Sequence, residues 1–375
     1  MLALRRVPLD ASPGTAAAPW SDAQPTNQRL RSQRLVCVIV THNRAKQLRT
    51  CLENTLREPV DQVVVIDNAS TDSTQALLAD WQARDGRLLV ERQRRNRGGA
   101  WGFARGMRIA DRLLECQGWL LLFDDDSWPQ PGCIARFRAR IEAYQNAGVS
   151  AVGAAVFAAD GRAVEANRPV LNLFRRPLPV LRFTLPRSHS FRDLYHVPLS
   201  VLRRPGQWID VDSISFVGLF LRLEALPRRR GRYPRGSLFI YSDDTLYTLD
   251  LGRRGCRTLL DTDLVFQHDT RAGGAATPWL SPAWKHYYVV RNSFLMNRAL
   301  SGLWYLPLCL ATVLTHALKG LQLLLGKRDG RLLQMVALAV RDGVCSNYSR
   351  RHSELEARCA RADPQNSSGI ATQIE

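Results

Sequence analysis

The sequence predicts an α/β protein built on a doubly wound, mostly parallel sheet with flanking helices. Short apolar runs at residues 35–40, 62–66, 87–91 and 118–123 have the length and composition of strands that are buried on both faces. A stretch of helical character lies between each run and the next, and this alternation is typical of a parallel sheet. Polar side chains follow all four runs. Because ligands of open α/β sheets bind at the carboxyl ends of the strands, these polar residues form the candidate site.

The first two runs end in residues that can form hydrogen bonds with a ligand. The first leads directly into Thr41, Asn43 and Arg44, and the second leads into Asp67. Hydroxyl, amide, guanidinium and carboxylate groups together offer both donors and acceptors. This combination at two neighbouring strand ends predicts a pocket for a nucleobase or a ribose.

The third run leads into a glycine-rich segment. It contains Asn96, Gly98 and Gly99, and Arg105 follows. Glycines let the backbone come close to a ligand, and the Arg105 guanidinium is a candidate for a charge-assisted bond to a phosphate or a sugar hydroxyl. A structural turn is the common alternative explanation of paired glycines. Their position at a strand end favours ligand binding.

The fourth run stops at three consecutive acids, Asp124, Asp125 and Asp126. Adjacent carboxylates repel one another, so they require a cation or a set of hydrogen-bond donors. Strand alternation would direct Asp124 and Asp126 to one side, and such a pair predicts Mg²⁺ or Mn²⁺ bound to a diphosphate. A solvated acidic turn is the alternative.

A second acidic cluster lies farther along the chain, beyond residues 158–207, to which no chemistry can be assigned. Residues 238–242 are predicted to form an apolar strand that ends at Asp243 and Asp244. A positioned carboxylate can take the proton of an attacking hydroxyl, so this pair is the candidate general base. Acids are also favoured at helix N-termini, which is the alternative explanation. His268 follows another apolar strand, and its neutral imidazole could complete the metal shell.

The composition narrows the class of partner. The 375 residues carry a formal net charge of +18, which predicts an anionic partner such as nucleic acid, an anionic lipid surface or a phosphorylated substrate. No basic-aromatic pattern of a nucleic-acid module is present, so nucleic acid is not expected. The eight cysteines are scattered, and no apolar run long enough for a signal peptide follows Arg5 and Arg6. These features favour reduced thiols and a cytoplasmic protein.

The chain is predicted to divide into four parts. They are a flexible leader at 1–34, a main domain at 35–300 with halves at 35–130 and 131–300, a helical segment at 301–362, and a disordered tail at 363–375. Residues 303–325 are strongly apolar but carry a narrow polar stripe, which suits a helix that lies in a membrane interface. A helix packed on the main domain and a single tilted span are the alternatives.

Together the motifs resemble those of the family 2 glycosyltransferases. The resemblance covers about residues 35–295 and is carried by Thr41-His42-Asn43-Arg44, Asp67-Asn68-Ala69-Ser70-Thr71-Asp72, Asn96-x-Gly98-Gly99, Asp124-Asp125-Asp126, Asp243-Asp244 and Tyr287-Tyr288-x-x-Arg291-Asn292. The joint pattern is highly specific. The glycine-rich segment, the triple aspartate, and Phe239-Ile240-Tyr241-x-Asp243-Asp244 followed by His268 are similar to the bacterial galactofuranosyltransferases.

This resemblance implies a GT-A type fold, a UDP-sugar donor, Mn²⁺ or Mg²⁺, and inversion at the anomeric carbon. The donor-binding residues would be Thr41, Arg44 and Asp67 at the uridine, with Asn43, Asn96, Gly98, Gly99, Arg105, Asp124 and Asp125, and the metal ligands would be Asp124, Asp126 and His268. Asp244 would be the base, with Asp243 beside it in the acceptor pocket. Galactofuranosyltransferases have paired tryptophans where this chain has Ile214-Ser215-Phe216, so Phe216 is the candidate stacking surface for the acceptor.

The sequence therefore predicts a metal-dependent inverting glycosyltransferase, peripheral on the cytoplasmic face of the inner membrane and active in cell envelope polysaccharide biosynthesis. It would move a hexose, with galactofuranose as the candidate, from UDP to a lipid-linked, lipopolysaccharide or polysaccharide acceptor. The basic surplus fits anionic lipid and pyrophosphoryl carriers. A rhamnosyltransferase that uses a dTDP-sugar is the main alternative. A nucleotidyltransferase and a non-catalytic nucleotide-sugar binding module are less favoured.

Overall fold

A computed structural model of the protein describes residues 27–171, 196–228, 230–269, 282–301 and 330–360, together with isolated positions between 307 and 318. Within these residues the strands are β1 (Leu35–Thr41), β2 (Gln62–Asp67), β3 (Leu88–Arg92), β4 (Trp119–Asp124), β5 (Ser127–Pro129), β6 (Val149–Phe157), β7 (Trp208–Asp210), β8 (Leu219–Arg222) and β9 (Arg257–His268). The α-helices are α1 (Asn27–Ser32), α2 (Ala45–Thr55), α3 (Thr74–Arg84), α4 (Gly99–Leu113), α5 (Cys133–Asn146), α6 (Leu199–Leu202), α7 (Asp243–Arg253), α8 (Trp284–Ser301), α9 (Gly330–Val344) and α10 (His352–Ala360).

The strands form one nine-stranded sheet. Its order is β3-β2-β1-β4-β8-β6-β9-β5, and β7 pairs with β9 outside this path. The pairings among β1 to β4 are parallel, as the alternation of strands and helices predicts, and antiparallel pairings enter where β8 lies between β4 and β6. The register sets Thr41 opposite Asp67, and Val40 opposite Asp124. The ends of three neighbouring strands therefore lie at one level of the sheet.

Both faces of the sheet are covered. In β1, Leu35, Cys37 and Ile39 belong to the hydrophobic cluster on one face, whereas Val36 and Val38 belong to the cluster on the other. Successive side chains of a strand point to opposite faces, so a strand that is buried on both sides requires a continuous apolar run. The mixed α/β architecture predicted from these runs is confirmed.

Helix α4 packs closely on β1. A Cβ atom at Gly102 would meet Cγ1 of Val40 at 2.5 Å, and one at Gly106 would collide with Val38. Residues four apart lie on the same face of a helix, so both glycines face the sheet. Part of the glycine-rich segment therefore serves the packing of a helix on a strand.

Residues 238–242 do not form the predicted strand. A 3₁₀ turn at Gly236–Leu238 leads into an irregular segment in which Phe239, Tyr241 and Ser242 have φ angles of 69°, 67° and 62°. Left-handed backbone of this kind cannot continue a strand ladder. The helix predicted after the acids is present as α7, and it begins at Asp243 itself.

The C-terminal helices α9 and α10 pack on α8. Their contact forms a third hydrophobic cluster that includes Phe294, Met335 and Leu355. This cluster also contains Phe239 from the segment before α7. The described part of the C-terminal region is therefore attached to the wall of the cavity described below.

Several predictions concern residues that the structure does not describe. They cover residues 1–26 of the leader, most of 303–325 and the tail at 363–375. The end of the predicted leader is helical, since α1 lies within it. None of the helices in the described part of the chain combines the length and apolarity needed to cross a bilayer.

Candidate active site

A cavity of about 630 Å³ opens at the carboxyl ends of the parallel strands. Its lining contains most of the residues predicted for the site, namely Thr41, Arg44, Asn96, Gly98, Gly99, Asp124, Asp125, Asp126, Phe216, Asp243, Asp244 and His268. Three other predicted residues, Asn43, Asp67 and Arg105, are described but do not contribute to this lining. Residues that are far apart in the sequence therefore face one common space.

The loops after β1 and β2 are tied to each other. Oδ1 of Asn43 accepts the backbone N–H of Thr71 at 2.7 Å, and Oγ of Ser70 accepts that of Asn43 at 2.9 Å. Oδ1 of Asp67 accepts the N–H of Ser70 at 2.8 Å, whereas Oδ2 is buried without a hydrogen-bond partner and lies 3.8 Å from Nε of Arg92. Leaving a buried acceptor unsatisfied is costly. The Arg92 guanidinium is the charged group that faces this buried oxygen, and the predicted contact between Asp67 and a ligand stays a prediction.

The loop after β3 is fixed by two asparagines. Nδ2 of Asn68 donates to Oδ1 of Asn96 at 3.0 Å, and the same oxygen accepts the N–H of Gly98 at 2.9 Å. Gly98 has a φ of 81°, and a Cβ atom there would collide with the backbone of Phe239. This position requires glycine because its conformation is left-handed and the approach is close. The third strand end is thereby joined to the segment before α7.

Arg105 lies away from the cavity. Its Nε donates to Oε1 of Glu91 at 2.6 Å, and its Nη2 donates to Oε2 of the same residue at 3.0 Å. A bidentate pair of this kind is a strong, charge-assisted interaction. The guanidinium is therefore engaged with β3, and the predicted contact between Arg105 and a donor stays a prediction.

The three consecutive acids occupy the end of β4 and the turn after it. Because β4 ends at Asp124, strand alternation does not extend to Asp125 and Asp126, and all three line the cavity. Oγ1 of Thr41 donates to Oδ2 of Asp125 at 2.7 Å, and Arg44 pairs with both Asp125 and Asp126. Burial and the neighbouring carboxylates raise the pKa of Asp124 to about 7, and burial raises the pKa of Asp125 to about 6. A cation would relieve this repulsion.

Asp126 and His268 face each other inside the cavity. Nε2 of His268 lies 3.3 Å from Oδ1 of Asp126, an oxygen that is buried without a hydrogen-bond partner. Nδ1 of His268 donates to Oδ1 of Asn167 at 2.9 Å, which leaves Nε2 directed at the acid. Burial lowers the pKa of His268, but the Asp126 and Asp124 carboxylates outweigh burial and raise it above its ordinary value.

These atoms fit a divalent cation. Adjacent ligands of a six-coordinate Mg²⁺ at about 2.1 Å are about 3 Å apart, close to the 3.3 Å between Oδ1 of Asp126 and Nε2 of His268. A histidine that binds a metal usually donates its other N–H to a carboxylate or carbonyl oxygen, as His268 does to Asn167. Within the described residues no group of three or more His, Cys, Asp and Glu side chains is arranged to hold a metal ion. Diphosphate oxygens and water would have to supply the remaining ligands.

Asp243 and Asp244 form the first turn of α7 on another wall of the cavity. Oδ1 of Asp244 accepts the backbone N–H of Thr245 at 2.6 Å and its hydroxyl at 3.2 Å. Burial raises the pKa of both carboxyls, and the charge of Asp244 raises that of Asp243 further. The pair begins a helix, as the alternative explanation predicted, and it also faces the cavity, while its role as a general base stays a prediction. A carboxylate of raised pKa is the stronger base.

Helix α8 holds the left-handed segment that leads into these acids. Nδ2 of Asn292 donates to the carbonyl oxygens of Leu238, Ile240 and Tyr241 at 3.2, 2.9 and 2.9 Å. The adjacent Arg291 is fully buried, and its Nη2 donates to the carbonyl oxygen of Leu238 at 2.9 Å. Non-glycine residues with positive φ persist only where their surroundings hold them. Asn292 therefore positions the start of α7 from behind.

Replacing Asn292 with alanine is expected to lower the rate of sugar transfer and to reduce the free energy of unfolding by about 1–3 kcal/mol, because the carbonyl groups of Ile240 and Tyr241 lose this donor. UDP binding should change little. Rates, UDP titration and thermal unfolding measure the three effects. Ser293→Ala is the matched control, since its hydroxyl donates to the carbonyl of Val290 in the same helix. A transfer rate in Asn292→Ala equal to that of the control would contradict a positioning role.

The cavity lining also includes residues for which the sequence indicated no role, among them Asn68, Asn167, Trp284 and Lys285. Asn68 lies inside one of the motifs, whereas Asn167 lies in a stretch without a recognisable pattern. Burial and nearby Arg44 lower the pKa of Lys285. Phe216, the predicted stacking surface, is only 3% exposed and packs on Phe103 with ring centroids 4.8 Å apart. Trp284 is the more accessible aromatic surface.

Comparison with known proteins gives a family match. Residues 36–196 match the model of the glycosyl transferase family 2. No curated protein matches the sequence. The matched residues include β1 to β4 and the acidic triplet, whereas Asp243, Asp244 and His268 lie beyond them.

Solved structures of low sequence identity resemble the chain. They include TarS 1–349 of S. aureus (15% identity, 71% of this chain and 65% of that chain, TM-score 0.46) and GalNAc-T7 with UDP, GalNAc and Mn²⁺ (12% identity, 70% and 51%, TM-score 0.46). A third is the mannosyltransferase PcManGT from Pyrobaculum calidifontis with GDP-Man and Mn²⁺ (16% identity, 88% and 91%, TM-score 0.47). The chain thus spans 65% of the TarS 1–349 chain, 40% of the longer TarS chain and about half of the GalNAc-T7 chain.

Proposed function

We propose that this chain, a glycosyltransferase with a family 2 domain over residues 36–196, transfers a hexose from a UDP-sugar to a lipid-linked or saccharide acceptor with inversion at the anomeric carbon. The observation that supports this reaction is a single cavity lined by the acidic triplet and by a second pair of acids on a different element. Such a transfer needs charge stabilisation for the departing diphosphate and a base for the attacking hydroxyl. The catalytic domain would span residues 35–300, with its donor half at 35–130 and its acceptor half at 131–300.

The uridine is proposed to bind at the ends of β1 and β2, held by Thr41, Arg44 and Asp67. Oδ2 of Asp67 forms no hydrogen bond, although Nε of Arg92 lies 3.8 Å away; this supports the proposal, because the imide N–H of a pyrimidine is a donor that a carboxylate oxygen can accept. Further donor-binding residues are proposed to be Asn43, Asn96, Gly98, Gly99, Arg105, Asp124 and Asp125. Arg44 and Lys285 line the same cavity and bring positive charge to it.

Asp126 and His268 are proposed to hold Mn²⁺ or Mg²⁺ together with Asp124, whose carboxylate would have to turn toward the ion, since the described residues do not already present three such ligands around one point. The facing pair of Asp126 and His268, with Asn167 orienting the imidazole, supports this assignment. When bound, the ion would neutralise the charge that develops on the leaving diphosphate. Asp124 and Asp126 would also fix the position of the ribose and diphosphate relative to the acceptor.

Asp244 is proposed as the general base. The acceptor hydroxyl gives its proton to Asp244 while its oxygen bonds to the anomeric carbon and the bond from that carbon to the diphosphate breaks on the opposite face. Attack opposite the leaving group produces inversion. Burial holds the pKa of Asp243 well above its ordinary value, and a protonated carboxyl at this position would donate a hydrogen bond to the acceptor. Phe216 and Trp284 are the candidate aromatic surfaces for the acceptor sugar.

Galactofuranose is the proposed sugar, because the motifs that surround the acids are similar to those of galactofuranosyltransferases. A rhamnosyltransferase that uses a dTDP-sugar is the second candidate, since Asp67 can accept the imide N–H of either pyrimidine. The acid pair beginning α7 disfavours a non-catalytic module, because binding alone needs no base. A nucleotidyltransferase would need a basic phosphate-binding loop after the first strand, and the residues there do not form one.

The site of action is proposed to be the cytoplasmic face of the inner membrane, in cell envelope polysaccharide biosynthesis. A net charge of +18 supports attraction to anionic lipids. Leu310, Leu314 and Leu318 recur at helical spacing and are 59%, 53% and 61% exposed. Large apolar side chains on one exposed face suit a helix that lies in the membrane interface.

A donor panel tests the proposed function. UDP-galactofuranose, UDP-galactose, UDP-glucose and dTDP-rhamnose are supplied with Mn²⁺ and a lipid-linked acceptor in anionic vesicles, and sugar transfer is measured with and without a chelator. We expect transfer from UDP-galactofuranose that the chelator abolishes, and co-sedimentation of the protein with the vesicles. Transfer from dTDP-rhamnose alone would select the second candidate. UDP binding that is equal with and without Mn²⁺, combined with no transfer, would indicate a binding module.

A further inference from the structure

Asp243 lines a second cavity, of about 550 Å³, as well as the first. The loop at residues 230–235 and one face of α7 bound this second cavity, and its lining includes Arg230, Arg235 and Arg254. None of the predicted donor-binding residues contributes to it. The two cavities therefore meet at the residue beside the proposed base.

The loop that forms one wall is held rigidly from behind. Arg232, 7% exposed, donates from Nε and Nη2 to the two carboxylate oxygens of Asp111, at 2.6 Å each. The hydroxyl of Tyr233 donates to Oδ2 of Asp111 at 2.6 Å, and that of Tyr247 donates to the carbonyl of Arg232 at 2.8 Å. A buried ion pair contributes little net stability but can specify one conformation. The flanking Arg230 and Arg235 are therefore presented on a fixed backbone.

The charge around the second cavity is positive. Nε of Arg254 pairs with Oδ2 of Asp250 at 3.0 Å, so these two charges balance. Arg230 and Arg235 are exposed, and neither forms an ion pair within the residues that the structure describes. Burial raises the pKa of Asp243 well above its ordinary value, which favours the neutral form of this carboxyl. The guanidinium groups of Arg230 and Arg235 are therefore left without an ion-pair partner among the described residues, in the cavity that Asp243 also lines.

We propose that the second cavity binds an oxyanion of the acceptor, a phosphate or a carboxylate group, through Arg230 and Arg235. The guanidinium group matches both anions with paired N–H donors. An acceptor anchored there extends past Asp243 toward Asp244, while the donor occupies the first cavity. This assignment rests on the proposed transferase function and makes the acceptor a negatively charged molecule, either a phosphate ester or an acidic sugar.

The test measures the binding of inorganic phosphate to the full chain by calorimetry, with the first cavity saturated by UDP and Mg²⁺. Wild type is expected to bind phosphate, and the Arg230→Ala/Arg235→Ala double variant is expected to bind it at least about tenfold more weakly, because charge-assisted hydrogen bonds are lost. Arg228→Ala is the matched control. Arg228 is an exposed arginine that precedes this loop in the sequence and does not line the cavity, and its replacement should leave binding unchanged.

Two further ligands identify the source of the anion. Geranyl phosphate and glucuronate are titrated in the same way, and the one that binds more tightly to wild type, with loss in the double variant, identifies a phosphate ester or an acidic sugar. Equal phosphate binding by wild type, the double variant and the control overturns the proposal. UDP binding is measured separately. If UDP does not bind, the transferase function fails. If UDP binds but wild type and the double variant bind phosphate equally well, only the proposed oxyanion site is wrong.

Discussion

Asp244→Asn is expected to slow sugar transfer by about 10²- to 10⁴-fold, the usual contribution of a general base, while UDP binding stays at the wild-type level. The amide keeps the size of the side chain but cannot take the proton of the acceptor hydroxyl. Transfer rates at saturating donor and a UDP titration of the same preparation measure the two quantities. The contrast between them separates a base from a residue that holds the donor.

The control for this change is Asp80→Asn, which alters a half-exposed acid on α3 that pairs with Arg84. It should transfer sugar at the wild-type rate. Burial raises the pKa of Asp244, so the base becomes protonated at a higher pH than an exposed aspartate. The rate in wild type should therefore fall as the pH is lowered through this raised pKa. Wild-type transfer by Asp244→Asn would show that another group takes the proton.

Asp126→Ala is expected to remove the gain in UDP affinity that Mn²⁺ gives to the wild type. The change deletes the carboxylate that faces His268 at 3.3 Å, and the imidazole alone binds a hard divalent ion weakly. A wild-type gain of about tenfold would correspond to about 1.4 kcal/mol. Calorimetric titration of UDP with Mn²⁺, and with a chelator in its place, measures this difference directly.

Thermal unfolding shows whether Asp126→Ala keeps the fold. We expect that it does, because Arg44 still has Asp125 as a partner after the change. Asp80→Asn again serves as the control and should retain the full effect of Mn²⁺. If Asp126→Ala still binds UDP more tightly with Mn²⁺ than with the chelator, the metal ligands lie elsewhere.

The first half of the fold could be predicted because its determinants are local. The run that becomes β1 is apolar at successive positions, and its side chains divide between the two hydrophobic clusters. Only a strand covered on both faces buries every residue of such a run. Once the strands are parallel, their carboxyl ends meet at one edge, which is why Thr41 and Asp67 are neighbours in the register.

The segment before Asp243 could not be predicted in the same way. Residues 238–242 are apolar and look like a strand, yet three of them adopt left-handed backbone under hydrogen bonds from Asn292 and a close approach to Gly98. A side chain on α8 and the backbone just before α4 therefore override the local preference. Arg105 is a second example. Its position in the sequence indicated a contact with a ligand, but in the structure its guanidinium is paired with Glu91.

The sequence by itself determined the chemistry that is available: an acidic triplet after a buried strand, a second acid pair, and polar ends on β1 and β2. It could do so because the apolar runs and the polar residues that follow them are adjacent in the sequence. Only the tertiary structure decided which groups are paired. Asn167 orients His268 from 101 residues away, and Asp243 joins two cavities. Such partners are selected by packing across the fold, for which a linear pattern carries no signal.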